Sequence, residues 1–129
     1  MKRYYPWLMA IMGMLILLTS NGLIVTGLTA FDESLLKEYD WTRSQLKMRD
    51  LITLVLAGWL GPFIGAVIDK AGPRRLIVSG IALLGAMYFA YAFVQSLTHL
   101  YLIHVGMGVV LVAAGLNVAV IYVSQWFSV

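Results

Sequence analysis

Residues able to do chemistry are sparse in this sequence and lie far apart. The densest group is Gly65, Asp69, Lys70, Gly72, Arg74 and Arg75, where one carboxylate and three cations are separated by glycines and by Pro73. Two amides, Asn21 and Asn117, and two histidines, His99 and His104, sit within otherwise apolar stretches. Cysteine is absent, which removes disulfide frameworks, thiolate metal sites and cysteine nucleophiles together. No nucleophile, base and carboxylate recur in a catalytic arrangement, and no glycine-rich phosphate loop opens a helix, so the expected role is not enzymatic. His104 has only His99 near it and no carboxylate in its stretch, so neither a metal nor another cofactor is expected. A neutral, hydrogen-bonded histidine is the commoner arrangement there, and a proton relay the rarer one.

The elements that must position these residues follow from composition. Of 129 residues 61% are apolar and 12% charged, with a mean hydropathy of +0.88. Soluble domains hold roughly 45–50% apolar and 25% charged residues. One small core cannot hide this much apolar surface, so lipid is the expected solvent. A net charge of +3 is too slight to suggest a nucleic-acid partner.

Charges fall in three places only: Lys2 and Arg3, a mixed cluster from Asp32 to Asp50, and Asp69 to Arg75. The uncharged stretches between them are 7–29, 51–68 and 76–129, of 23, 18 and 54 residues. A bilayer core takes ~20 helical residues per crossing, so the last stretch holds two spans. It divides at Gln95, Ser96, Thr98 and His99. The expected fold is therefore an all-α integral membrane protein with four transmembrane helices at about 7–29, 44–68, 76–94 and 100–127. The outer loop is 30–43 and the inner loop 69–75. A cleavable signal is disfavoured, because 23 uncharged residues exceed the ~7–15 of a signal core and Leu28 stands where a small residue is needed.

Local signals refine this. Thr42 followed by Gln45 forms a capping box, so the second helix should start at Thr42. The outer loop, with Leu35, Leu36, Tyr39, Leu46 and Met48 among charges, reads as amphipathic and loosely helical. At about 100° per residue, Thr19, Gly22, Thr26 and Thr29 share an arc of roughly 80°, which suits a packing seam or the wall of a polar path. Asn21 lies on another face and needs a partner or a hydrated cavity. Gly106, Val110, Ala113, Asn117 and Ser124 fall within roughly ±40° of one another, which would set Asn117 on a small-residue face. Gly58, Gly61 and Gly65 line one side of the second span together with Asp69, permitting close helix approach, and Pro62 should kink it.

Orientation by basic count is five inside against four outside, which decides little. The outer four are interleaved with five acids, however, whereas Arg74 and Arg75 abut a span in a very short loop. That favours a cytoplasmic N-terminus. Gly72 should make the tight turn and Pro73 open the next helix. Asp69 ends a helix, where the dipole disfavours an anion, so a cation or donor should face it.

The order Gly65, three residues, Asp69, Lys70, any residue, Gly72 and then Arg74-Arg75 resembles the signature loop of the major facilitator superfamily. Pro73 is inserted in the manner of its monocarboxylate and oxalate/formate exchanger branches. Tyr5-Pro6-Trp7, the run from Tyr39 to Gln45, and Trp126-Phe127 are similar to the same branch, so the likeness extends over the whole chain. It implies a conformational latch at Gly65, Asp69, Lys70, Gly72, Arg74 and Arg75, a cytoplasmic N-terminus, and a multi-pass location in a plasma or bacterial inner membrane. It also implies alternating access to a small solute such as a monocarboxylate, with Asn21, Thr26 and Asn117 as pathway candidates.

Two features depart from the pattern. Leu102 stands where many drug/proton antiporters of the superfamily carry arginine, which argues against that activity. Members have about twelve spans, so the expectation is an N-terminal fragment that does not transport without the remaining helices. A complete four-span exporter acting as a dimer is the alternative from another class, but it would need an acid in the first span, and 7–29 has none. A non-transporting scaffold subunit is the third.

Overall fold

The computed structural model describes residues 3–127, which are all-helical with no strand among them. Helix α1 spans Tyr5–Asn21 and passes through a π-helical turn, Gly22–Thr26, and a 3-10 turn, Gly27–Phe31, into α2, Asp32–Tyr39. Then follow α3 (Arg43–Ala71), α4 (Pro73–Tyr91), α5 (Leu97–Ala113) and α6 (Leu116–Phe127). Three helical runs are long and apolar enough to cross a membrane: Tyr5–Tyr39, Arg43–Ala71 and Leu97–Ser124. Helix α4 has 19 residues but opens with Arg74 and Arg75, so its uncharged part is shorter than the ~20 a crossing takes. Met14 and Phe89, each 71% exposed, and Trp59 at 67% present large apolar faces, which fits a protein embedded in lipid rather than in water.

Helix boundaries follow local chemistry. Thr42 caps α3, with its hydroxyl accepting from the Gln45 N–H at 3.2 Å while Gln45 Oε1 accepts from the Thr42 N–H at 3.0 Å. This is the capping box anticipated from the sequence. Ser96 caps α5 by accepting from the His99 N–H at 3.2 Å, at the polar break between the two late helices. Helix α3 continues through Pro62 for 29 residues.

Two features run against simple helical arithmetic. The first run changes from α to π to 3-10 winding between Asn21 and Phe31, so residues on either side of Gly22 do not keep one 100° wheel. The last run breaks at Ala114–Gly115. A Cβ at Gly115 would collide with the Leu111 carbonyl oxygen, so the break needs glycine there. The expected continuous face from Gly106 to Ser124 is thereby interrupted: Val110 and Ala113 are buried, whereas Asn117 and Ser124 are exposed.

Helix α5 is the centre of packing, held between α3 and α4, while α1 lies along α6. The core is lopsided. A large cluster including Leu28, Leu46, Leu84, Leu100, Met107 and Val110 gathers around the α2 end of the molecule. A small one, Ile68, Ile77 and Val118, lies beneath the α3–α4 turn.

Candidate functional site

The α3–α4 turn is built by two residues. The Gly72 N–H donates to the Ile68 carbonyl at 2.8 Å, closing α3. Gly72 itself adopts φ 82°, ψ 147°, a conformation that side chains essentially exclude. Pro73 then occupies the first turn of α4, where its missing N–H costs nothing. Around this pivot Asp69, Lys70, Arg74 and Arg75 are all exposed, and none enters an ion pair among the described residues. The neighbouring cations therefore do not supply the partner expected for Asp69. Gly65, one turn earlier, has open space where a Cβ would stand, as have Gly58 and Gly61.

The pathway candidates are dispersed. Asn21 closes α1 and its amide donates only locally, to the Leu17 carbonyl at 3.4 Å and Ser20 Oγ at 3.5 Å. It shares an open, mostly apolar groove with Met14, Leu18, Gly22 and Leu116. Thr26 ends the π turn, is exposed, and lends its carbonyl to the Thr29 hydroxyl at 2.6 Å. Thr19 likewise donates to its own helix, at the Leu15 carbonyl, 2.8 Å away. Asn117 is exposed just past the helix break. What ties these regions together is Ser20, buried, with its hydroxyl 2.9 Å from the carbonyl oxygens of both Ile16 and Ala114.

Sequence reading missed the most elaborate polar cluster. Arg49 had been assigned to the charged stretch near the outer loop, yet it lies in the second turn of α3 with no exposed surface. Its guanidinium donates from Nε to Asp50 Oδ1 at 3.3 Å, from Nη1 to the Tyr91 hydroxyl at 2.9 Å, and from Nη2 to Asp32 Oδ1. Lys47 adds contacts to Asp32 at 3.3 Å and Asp50 at 3.5 Å. A charge this buried is tolerable only when paired, and here α2, α3 and α4 each contribute a partner. The network continues inward. The Thr53 hydroxyl lies 3.1 Å from the Arg49 carbonyl and 2.9 Å from His104 Nδ1 on α5. His104 is buried, and its Nε2 has no hydrogen-bond partner among the described residues.

A signal for this cluster was present. Starting a helix at the Thr42 cap sets Leu46, Arg49 and Thr53 at i, i+3 and i+7, one face, and all three are buried. The arginine was masked by the acids around it.

No known family, curated protein or solved structure matches this chain.

Proposed function

We propose that this chain forms the first four spans of a secondary transporter for a small solute such as a monocarboxylate or another organic anion, with its N-terminus cytoplasmic. The observation that carries the reading is the α3–α4 turn. A glycine in a conformation barred to other residues, followed by proline, presents Asp69, Lys70, Arg74 and Arg75 with no partner among the described residues. Such a turn suits a latch whose counterpart lies on another part of the transporter, as the resemblance of Gly65 to Arg75 implies. In this reading α4 is the third of four crossings, with Arg74 and Arg75 at the headgroups and the uncharged residues after them in the hydrocarbon. Asn21, Thr26 and Asn117 would face the solute path, and the open Gly58, Gly61 and Gly65 face leaves room for a further helix. These helices alone give one wall of a cavity, so the isolated chain does not transport.

Topology is the direct test, and the absence of cysteine makes it clean. Single variants Lys37→Cys, Arg75→Cys and Thr98→Cys, expressed in cells, are treated with a membrane-impermeant maleimide. The reading requires Lys37→Cys and Thr98→Cys to label from outside and Arg75→Cys only after permeabilisation. Labelling of all three from one side would sink it. Saturable uptake of radiolabelled lactate or oxalate by proteoliposomes of the isolated chain would overturn the fragment reading while leaving the topology standing.

A further inference from the structure

Four aromatic rings, those of Phe31, Tyr39, Tyr88 and Tyr91, line a cavity of about 290 Å³ between α2 and the end of α4. Ligand sites run from about 300 to 1,000 Å³, so only a small occupant fits. Glu38 is the one charged residue on the lining.

Three of the rings are held by their own hydroxyls. Tyr39 donates to the Val94 carbonyl at 2.6 Å and Tyr88 to the Leu23 carbonyl at 2.6 Å, while the Tyr91 oxygen accepts from Arg49 at 2.9 Å. Trp41 stacks behind Tyr39 with ring centroids 4.6 Å apart, and Phe31 leans on Tyr91 at 5.5 Å. With the phenol oxygens engaged by the scaffold, the four rings offer the occupant carbon and π density, which attracts cations, beside the Ser34 hydroxyl and the apolar Leu35. Glu38 adds a full negative charge. It has no ion pair among the described residues, whereas Glu33 on the same helix pairs with Lys37 at 2.8 Å. Arg49, which reaches the Tyr91 hydroxyl, is matched by Asp32 and Asp50.

This lining discriminates among ligand classes. A hard metal ion needs several oxygen ligands, and the lining has one carboxylate. An anion would meet Glu38 and the negative ring faces. A weakly hydrated organic cation meets both favourably. The geometry points to a binding site for a trimethylammonium group, carried by a free solute such as choline or by the choline headgroup of a lipid. The site stands independently of the transport reading, because it needs only residues of this chain.

The full chain in phosphatidylglycerol nanodiscs is titrated by calorimetry with choline chloride and, separately, with dimethylbutanol, the neutral carbon isostere of choline. Choline should bind saturably and the isostere about ten-fold more weakly or not at all, an effect between those of exposed and desolvated cation–π contacts. Glu38→Gln and Phe31→Leu, both at exposed positions, should each weaken choline about five-fold or more. Glu33→Gln, which lies off this lining, should bind as the parent does. Circular dichroism checks that each variant retains its helices. Equal binding of choline and its isostere overturns the proposal, as does parental affinity in both Glu38→Gln and Phe31→Leu, or no saturable binding by the folded parent. Repeating the titration in phosphatidylcholine nanodiscs separates the sources. A weaker apparent affinity there supports the site and assigns it to the lipid headgroup; an unchanged one supports it and assigns a free solute.

Discussion

Arg49 and Asp69 both lie on α3, one near each end, and they have opposite fates. Arg49 is buried, with partners from three helices, beside the larger apolar cluster. Asp69 is exposed and without an ion pair among the described residues, above a cluster of only Ile68, Ile77 and Val118. One helix thus carries a closed electrostatic site and an open one. A closed network rigidifies what it joins, because each member is satisfied by another. An open one costs the fold little and leaves its charges available to something else. The same contrast separates the two connections: α2 and α3 are tied by Asp32, Lys47 and Arg49, whereas α3 and α4 are joined by a bare glycine–proline pivot.

The strongest way to break this comparison is at Arg49. Arg49→Ala leaves Tyr91 without its donor and Asp32 with Lys47 alone, and loss of one partner of a buried ion pair costs about 3–5 kcal/mol. Because Asp32 and Asp50 keep some contact with solvent, the lower end of that range is expected. The SDS-unfolding midpoint in detergent, followed by circular dichroism, should fall accordingly; an unchanged midpoint would mean the network holds nothing together. Gly72→Ala comes next. A Cβ at φ 82° is strained by about 1–3 kcal/mol, and the same unfolding assay should show a loss smaller than that of Arg49→Ala. The smallest effect sharpens the contrast: Asp69→Asn should leave the midpoint where it was. A clear destabilisation there would reveal that Asp69 has a structural partner within the chain after all.

Much of the fold was legible because it rests on local chemistry. The Thr42–Gln45 box, the polar break at Ser96 and the Gly72–Pro73 turn depend on residues within a few positions of one another, and each is found where the spacing set it. The candidate site was legible only in part. The turn at Gly72–Pro73 was legible, but the expected loop 69–75 shrinks to Gly72, because α3 runs on to Ala71 and α4 starts at Pro73; the lack of ion pairs around it is a property of what surrounds it. Asn117 was assigned to a small-residue face by a wheel that assumed one continuous helix, and the break at Ala114–Gly115 removed that assumption.

The sequence by itself determined where α3 begins, where the chain turns at Gly72–Pro73 and that the helix surfaces suit lipid, because capping, turn geometry and transfer of apolar groups are set by short stretches of chain. Tertiary structure alone decided that Arg49 is buried, that His104 meets Thr53, and that four rings from α4 and the α2 region line one cavity. Asp32 and Arg49 lie 17 residues apart, and Thr53 and His104 lie 51 apart. Their energies depend on which faces of separate helices meet, and a charge that reads as solvated in one dimension becomes a core element once three helices close around it.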